Sequence, residues 1–415
     1  MPASVMNRID ILCNLPNLWM RYRDRLLTII AIFMAAAAAL KLGLEFHRLT
    51  VDSGPKGAID LKNLHLWVTS WFAGTPIFQQ IDAALYPPAT YALLWPLLGW
   101  MSLSTARWFW AATSIGALAA IIVVIWRISG AETRRDKIFV ALLLLSINGT
   151  GVAIGNGQLI LHLLATFLAG VLLLERKSET FAADLIAAAL LTWTLVKPNV
   201  AAPFLWVLLF AWGRRRPAFL MLLLYAILTA TAATFQKDNL LTLFQRCLSK
   251  ASEATSQFPG TRNIHSLLIA VGWQKWIVLS SILMFVALGI WTYRYRLADK
   301  WVLIAVAALV ARLWTYHRLY DDVLILLPEL ALFRIAKQDA RSSRGAVAGV
   351  LLVLMALAML CPTRFLNQPT EWAWASDWTC VFGVSHDILW LLVLGYLVIY
   401  ARQQTNRAIA VPSVS

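Results

Sequence analysis

Long apolar runs separated by short polar segments follow one another along almost the whole chain, from Leu26 to Tyr400. Most runs are continuous, without the alternation of a half-buried strand, and this pattern predicts membrane-spanning α-helices. Passing the runs back and forth across a bilayer gives about twelve spans, among them residues 138–153, 301–316 and 323–336. We therefore expect an all-α, polytopic membrane bundle that forms a single integral membrane domain over residues 1–415.

Two longer polar segments, residues 47–103 and 236–272, interrupt this series and are predicted to be large loops on the outer side. In the first loop, apolar residues recur at three- and four-residue steps over 59–73, which predicts an amphipathic helix lying on the membrane. Residues 88–101 are apolar but too short to span, which predicts an interfacial or re-entrant helix. Residues 181–212 are predicted to form a hairpin broken at Lys197-Pro198, because proline interrupts a helix.

Charge supports this topology. The chain is 60% apolar and only 14% charged, yet its formal net charge is +15. The basic residues cluster between apolar runs, as at 134–137 and 214–216, which is typical of loops that face the cytoplasm. This distribution places both termini in the cytoplasm of a cell-membrane protein. It indicates membrane lipid, and not nucleic acid, as the partner of the positive charge.

Cysteine and glycine patterns exclude some kinds of chemistry. The four cysteines have no metal-binding spacing. Cys361 and Cys380 flank a predicted outer loop, where a disulfide and two unpaired thiols are both open interpretations. The chain has no glycine-rich nucleotide loop, which leaves a soluble nucleotide-sugar donor without support.

The polar residues that this topology places on the outer side are the candidates for function, because charges close to a membrane are costly to keep. Arg and Lys bind phosphate oxygens, and a carboxylate accepts a proton from an attacking hydroxyl. Together they suit a phosphorylated lipid ligand and a general base. The candidates are Asp52, Asp60, His65, Lys197, Arg262, His265, His317, Arg318, Asp321 and Asp322.

Several of these candidates also have a purely structural explanation. Asp60 stands where it would cap the helix that it begins. The pair Asp321-Asp322 fits a helix cap with Arg318 somewhat better than a metal site, because two acids alone do not hold a metal ion. His65 is explained by an interfacial hydrogen bond, and Lys197 is open between snorkelling and ligand binding.

Short motifs over the first 270 residues occur in an order that is similar to a known family. The helix opened by Asp60 ends at Gly74-Thr75-Pro76, and Tyr86-Pro87-Pro88 and Pro96-Leu97 follow. Further matches are Gly157-Gln158, Lys197-Pro198 and the segment Asn263-Ile264-His265-Ser266-Leu267. In these motifs the chain resembles the membrane-embedded GT-C glycosyltransferases, and within them the GT87 family.

The resemblance implies an inverting glycosyltransferase whose donor is a polyprenyl-phosphate hexose, mannose in the best-known members. It also implies that no metal and no cofactor takes part. By position, the acid that would act as general base is Asp60. The acceptor would be a glycolipid or glycan on the extracytoplasmic face. The candidate donor-binding residues are His317, Arg318, Lys197, Arg262, His265 and Tyr86.

Two points stay open. The tryptophans predicted at the outer interface would stack on sugar rings or form a lipid-interface belt. The alternative function is a carrier without catalysis, such as a polyprenyl-lipid flippase. One broken hairpin, the lack of an internal repeat and the outer position of the polar residues favour the enzyme. The tryptophans concerned are Trp67, Trp71, Trp372, Trp374 and Trp378.

Overall fold

The computed structural model describes residues 3–81, 84–176, 180–213, 215–257, 265–315, 317–360 and 373–410. Within these residues all regular structure is helical, which confirms the predicted all-α class. The first seven helices are α1 (Ala3–Thr50), α2 (Ile59–Phe72), α3 (Ile77–Gln80), α4 (Pro88–Leu98), α5 (Leu103–Ile128), α6 (Arg134–Ser146) and α7 (Asn148–Asn156).

The remaining helices follow in the same order of the chain. The next six are α8 (Ile160–Glu175), α9 (Phe181–Thr194), α10 (Pro198–Ala201), α11 (Phe204–Phe210), α12 (Arg216–Ala233) and α13 (Leu240–Gln257). The last six are α14 (His265–Ala270), α15 (Ile277–Arg294), α16 (Lys300–Trp314), α17 (Leu326–Gln338), α18 (Ser343–Leu360) and α19 (Ala373–Ala410). Two 3₁₀ segments, Gln274–Trp276 and Leu319–Ile325, precede α15 and α17.

Several helix ends follow directly from local sequence. The hydroxyl of Thr133 accepts the backbone N–H of Asp136 at the start of α6, and Asp136 returns the bond in a capping box. Asp299 caps α16 by accepting the N–H of Trp301. Proline ends α9 as predicted, since α9 stops at Thr194 and α10 starts at Pro198.

Six helical segments in the described residues are long and apolar enough to cross a membrane, which confirms a polytopic membrane protein. A seventh is added if α6 and α7, bent by 51° at Ile147, count as one span. The six are Thr28–Thr50, Leu103–Ile128, Arg216–Ala233, Gln274–Arg294, Ser343–Leu360 and Ser385–Ala410.

The difference from the predicted twelve spans lies mainly in short apolar helices. The predicted span 138–153 is the bent pair α6 and α7. Those at 301–316 and 323–336 are α16 and α17, with 15 and 13 residues, whereas a crossing takes about 20. Both are buried on nearly every side, so other helices, and not lipid, cover their apolar surface. A helix that is apolar on all sides lies either inside a protein or in lipid, and hydropathy does not distinguish these two environments.

The amphipathic helix of the first outer loop is present as α2, and its buried face includes two of the tryptophans. Trp67 and Trp71 point into the protein and not to the interface. Trp71 stacks on Tyr91 with ring centroids 4.5 Å apart, and its indole N–H donates to the carbonyl of Ala232 over 2.8 Å. The interface prediction was therefore wrong for these two residues, because α4 and α12 cover this face. Trp372 and the side chains of Trp374 and Trp378 lie outside the described residues.

Candidate functional site

The start of α2 rests on the turn that joins α7 to α8. Ala58, just before the helix, has a left-handed backbone with φ of 50°, and its N–H donates to the carbonyl of Gly155 over 3.2 Å. Gly157 also has a left-handed φ of 71°, and a Cβ on it would lie 2.5 Å from the Cβ of Leu61. A side chain at position 157 would push α2 away, so glycine there allows the close approach.

This contact places Asp60 over the 155–158 turn. Asp60 is not the N-cap of α2, because that position belongs to Ala58, which makes no side-chain cap bond. Instead, the amide side chains of Gln158 and Asn156 face the Asp60 carboxyl group, and the charges of Lys197 and Arg318 act on it. The Oδ2 atom of Asp60 is buried and accepts no hydrogen bond from the described residues.

Burial and the neighbouring polar groups act on Asp60 in opposite directions. Burial raises the pKa of the Asp60 carboxyl above its ordinary value, while the two amides and the two cations oppose this shift. The pKa remains raised, which is the direction that makes a carboxylate a better proton acceptor. Lys197 and Arg318 thus lie close enough to Asp60 for their charges to act on its carboxyl group.

Lys197 is held in a buried ion pair. Its side chain is 5% exposed, and its Nζ lies 2.5 Å from the Oδ1 of Asp321 and 4.6 Å from the ring centre of Tyr320. The unwound backbone before Pro198 brings this cation to Asp321, which is 124 residues further along the chain. Asp321 thus balances the charge of Lys197. Arg318, whose charge also acts on Asp60, is exposed.

His317 lies in the same buried cluster, and its surroundings differ from those of the outer turn predicted for it. It is fully buried, with Nδ1 3.2 Å from the Oδ2 of Asp321. A carboxylate can only accept, so Nδ1 carries the hydrogen. Nε2 is buried and has no hydrogen-bond partner among the described residues. Burial lowers the pKa of His317 and Asp321 opposes this shift, while Arg312 and Lys197 add to it. The pKa remains lowered, so the ring is neutral at neutral pH and Nε2 is an acceptor.

A neutral Nε2 acceptor cannot donate to a phosphate oxygen. His317 is a member of the Asp321 network, and a contact with a donor phosphate would require the ring to be protonated.

Asp321 makes the structural cap that was one of the two interpretations of the Asp321-Asp322 pair, whereas Asp322 has a different partner. The Oδ2 of Asp321 accepts the backbone N–H of Arg318 over 3.0 Å at the start of the 3₁₀ segment. Asp322 pairs with Arg312, whose Nε lies 2.6 Å from its Oδ1. Burial acts to raise the pKa of Asp321, but Lys197 and His317 together hold it well below the usual range. Among the described residues, no group of three or more His, Cys, Asp or Glu is arranged to hold a metal ion.

The other predicted donor contacts lie at different places. Tyr86 packs on Trp67, with ring centroids 6.0 Å apart, and Trp67 is about two helical turns beyond Asp60 on α2. His265 is buried against α15, with its Nε2 3.3 Å from the hydroxyl of Ser281. Arg262 lies outside the described residues.

The remaining polar candidates of the first outer loop have structural partners. The Oδ1 of Asp52 accepts the N–H of Gly54 over 2.8 Å, which closes a tight turn. The Nε2 of His65 lies 2.9 Å from the carbonyl of Met101, in agreement with its interpretation as a satisfied interfacial histidine.

A narrow apolar gap of about 10 Å³ lies between α8, the broken α9–α11 segment and the 3₁₀ segment. Thr194 and Val200 of its lining flank Lys197 in sequence, and Leu324 follows the two acids. The other lining residues are Ile160, Leu163, Leu164, Phe167, Ala201 and Phe204. Its walls are almost entirely apolar, and its volume is close to the least that a single water molecule needs.

The sequence did not point to the partners of Asp60 on the side of α1. The Nη2 of Arg48 donates to the Oδ1 of Asn156 over 2.5 Å, and its Nε lies 2.9 Å from the Oε2 of Glu45. The only local signal is the three-residue spacing of Glu45 and Arg48 at the end of an apolar run, which is typical of a helix pair. That Arg48 reaches α7 follows only from the packing of α1 on α7.

Helices, burial and this carboxylate–cation cluster together define a polytopic membrane protein with a polar site at one end of its central helices. Residues 84–326 match the model of glycosyltransferase family 87, and the chain belongs to this family. No curated protein matches the chain, and no solved structure matches it. The family membership confirms the resemblance and indicates a membrane glycosyltransferase, which favours the enzyme over the carrier. Asp60 precedes the matched segment, whereas Asn156, Lys197 and Asp321 lie within it.

Proposed function

We propose that the protein is an inverting glycosyltransferase that moves a hexose, mannose foremost, from a polyprenyl-phosphate donor to a glycolipid or glycan acceptor. Asp60 is the general base. The observation that carries this proposal is the buried Oδ2 of Asp60, an acceptor without a partner among the described residues and under the influence of Lys197 and Arg318. An acceptor hydroxyl is the kind of group that would donate to it.

The reaction follows from the charges at the site. The acceptor hydroxyl attacks the anomeric carbon of the donor from the face opposite the phosphate, and its proton passes to the Asp60 carboxylate. The bond between the anomeric carbon and the phosphate oxygen breaks, and its electron pair leaves with the polyprenyl phosphate. Negative charge therefore grows on the leaving phosphate, while the proton that Asp60 accepts neutralises its carboxylate. Arg318, the exposed cation that acts on Asp60, would stabilise the phosphate.

The buried network below Arg318 has a supporting part in this proposal. Asp321 holds the backbone of Arg318 through its N–H and is itself held by Lys197. Lys197 thus acts through Asp321 and adds positive potential near the phosphate, without a direct contact. Tyr86, His265 and Arg262 are proposed to complete the donor site in the substrate complex.

The membrane-embedded fold supports a lipid-linked donor, because apolar helices give a polyprenyl chain a surface to lie against beside the polar site. On the predicted topology the site faces the extracytoplasmic side, with both termini in the cytoplasm, and the protein lies in the cell membrane. Acceptors on that side are glycolipids or growing glycans.

The test is a donor panel with the purified protein in proteoliposomes. Polyprenyl-phosphate mannose, glucose and other hexoses would each be supplied with a lipid-extract acceptor, and released polyprenyl phosphate would be measured. We expect release with the mannose donor and loss of at least about 100-fold in Asp60→Asn, because a general base contributes that much. Asp52→Asn is the matched control, since an asparagine keeps the turn with Gly54 and should keep the activity. Transfer by Asp60→Asn at the normal rate, or transfer from a soluble nucleotide sugar alone, would contradict the proposal.

A further inference from the structure

Three residues on different helices form a series of contacts that ends at the Asp60 carboxyl group. Arg48 on α1 donates from Nη2 to the Oδ1 of Asn156 over 2.5 Å. The amide of Asn156, at the end of α7, faces Asp60 at the start of α2. Two further contacts bring the same elements together, the hydrogen bond from Ala58 to Gly155 and the approach of Leu61 to Gly157.

The chemistry of arginine decides which way the Asn156 amide points. A guanidinium group only donates hydrogen bonds, so it must face the oxygen of the amide. With Oδ1 occupied by Arg48, the Nδ2 group of Asn156 is the part left for other partners, and the carboxylate of Asp60 is an acceptor. If the amide were reversed, two oxygen atoms would face each other at Asp60 and two donors would face each other at Arg48.

Gln158 is oriented in the same way by the backbone. Its Oε1 accepts the N–H of Leu159 over 3.3 Å, which leaves its Nε2 group as donor. Two amide groups thus present N–H donors to one buried carboxyl group, and each stabilises the ionised form.

The site of the Arg48 side chain exists because residue 155 is a glycine. A Cβ on Gly155 would lie 1.9 Å from the Oε2 of Glu45 and 2.6 Å from the Nη2 of Arg48. Glu45 pairs with the Nε of Arg48 over 2.9 Å and so holds the guanidinium against α7. Both side chains are almost fully buried, with 10% exposure for Arg48 and 4% for Glu45.

We infer that Arg48 is a positioning residue for the transfer reaction: by holding Oδ1 of Asn156, it aims the amide N–H of Asn156 at Asp60 and keeps this base ionised at the pH of the reaction. The inference rests on the proposed function of Asp60. Arg48 itself touches neither the sugar nor the phosphate in this account, and it acts only through Asn156.

The experiment compares kcat/KM as a function of pH in the wild-type enzyme and in Arg48→Met, Arg48→Lys, Asn156→Ala and the double variant Arg48→Met/Asn156→Ala. At low pH, kcat/KM falls as Asp60 becomes protonated, and this fall is the acid limb of the profile. Loss of one hydrogen bond to the Asp60 carboxylate should move the acid limb of Arg48→Met to a pH about one unit higher. The rate at high pH, where Asp60 is ionised in every variant, should change far less. Arg48→Lys keeps a donor and should return part of the shift. In the Asn156→Ala background, Arg48→Met should add no further shift.

A second pair of variants covers the case in which Arg48→Met does not fold. Gly155→Ala displaces the Arg48 side chain without changing Asn156 or Asp60, and it should shift the acid limb in the same direction. Gly151→Ala is its matched control, because a Cβ there lies 2.6 Å from the side chain of Lys41 and crowds the same two helices one turn earlier. It should leave the acid limb in place.

The outcomes separate this inference from the proposed function. An acid limb that does not move in Arg48→Met or Gly155→Ala overturns the positioning role, and so does a shift that persists in full without the Asn156 amide. If Asp60→Asn keeps the wild-type activity and pH profile, the base assignment is wrong and the role of Arg48 falls with it. Loss of activity in Asp60→Asn together with an unmoved limb in Arg48→Met overturns the role of Arg48 alone.

Discussion

The two ends of the central helices α16 and α17 carry the same kinds of residues in very different surroundings. At the end where α16 starts, Asp299 pairs with Arg334 over 2.8 Å and Asp136 with Lys337 over 2.6 Å, with side-chain exposures of 19–29%. At the other end, roughly 22 Å away along a 15-residue helix, Lys197 and Asp321 pair at 5% and 1% exposure.

The difference lies in how completely the polar groups are satisfied. The pairs at the first end are partly solvated, and their oxygens and nitrogens have partners or water. At the second end the Oδ2 of Asp60 and the Nε2 of His317 are buried without a partner among the described residues. Unsatisfied buried groups cost stability, and they point to chemistry where charged groups surround them. Both carboxylate oxygens of Glu329 on α17 are also buried without a partner among the described residues, so it is the combination with the neighbouring charges of Lys197 and Arg318 that marks the candidate site.

Removing one lysine from each end gives the largest expected contrast. Lys197→Met leaves Asp321 as a buried carboxylate without its main cation, which should lower the free energy of unfolding by about 3–5 kcal/mol. Lys337→Met opens a partly exposed pair and should cost at most about 1 kcal/mol. Reversible unfolding in mixed micelles at pH 8 would measure both values.

The pH dependence of that contrast is also fixed by the neighbours. His317 faces Asp321, and in the wild type Lys197 helps to keep the imidazole neutral. Without Lys197, a proton on His317 would pair with Asp321, so part of the lost stability should return near pH 5 in Lys197→Met. Equal losses for the two lysine variants, or a Lys197→Met defect that does not depend on pH, would show that the buried cluster is an ordinary ion pair.

Much of this architecture follows from the sequence, for reasons that are local. The three- and four-residue steps of apolar side chains predict α2, and Pro198 predicts the break that unwinds the backbone at Lys197. Asp60 was singled out because the family resemblance implies an acid at the start of this short helix, and its role as base stays a prediction. Each of these signals lies within a few residues of the feature that it predicts.

What the sequence did not predict depends on contacts between distant segments. Trp71 was placed at the interface because nothing nearby shows that Ala232, 161 residues later, accepts its indole N–H. His317 was expected in an outer turn, but nothing nearby shows that it is fully buried and shares Asp321 with Lys197. The link from Arg48 to Asn156 spans 108 residues and has no local pattern. Packing decides all three, and hydropathy does not encode it.

Replacing Asp60 should affect stability and activity in opposite directions. The folded-state pKa of Asp60 is raised, so ionised Asp60 costs stability, and this cost appears as the pH rises from the unfolded value through the folded one. Asp60→Asn removes the cost and should unfold at a higher temperature than the wild type at pH 7–8, while transfer is lost. The gain should disappear at a pH below the ordinary value for aspartate.

Asp321→Asn is the matched control, because its expected change in unfolding temperature has the opposite sign. The folded-state pKa of Asp321 is lowered, so its carboxylate stabilises the fold above the unfolded value, and the stabilisation is lost as the pH falls through the folded one. Asp321→Asn should therefore unfold at a lower temperature at pH 7–8. Thermal unfolding of both variants across pH 4–8 measures the two signs. A lower unfolding temperature for Asp60→Asn at pH 8 would mean that Asp60 is a structural carboxylate like Asp321.

The smallest expected effect concerns the backbone that aims Asp60. Ala58, two residues earlier, is the only non-glycine residue with a positive φ in the described chain, at 50°. A left-handed alanine costs about 1–2 kcal/mol, and the higher unfolded-state entropy of glycine offsets about 0.5–1 of this. Ala58 is fully buried, so Ala58→Gly also removes a buried methyl group worth about 0.8 kcal/mol, which nearly cancels the strain that it relieves. Ala58→Gly should therefore change the free energy of unfolding by less than about 1 kcal/mol, while Ala58→Val, with a branched side chain at the same φ, should lower it by more. The N–H of residue 58 still donates to Gly155 in both variants, so unfolding in mixed micelles compares them without the loss of that bond. A loss well above about 1 kcal/mol in Ala58→Gly would show that the left-handed backbone at residue 58 carries no strain.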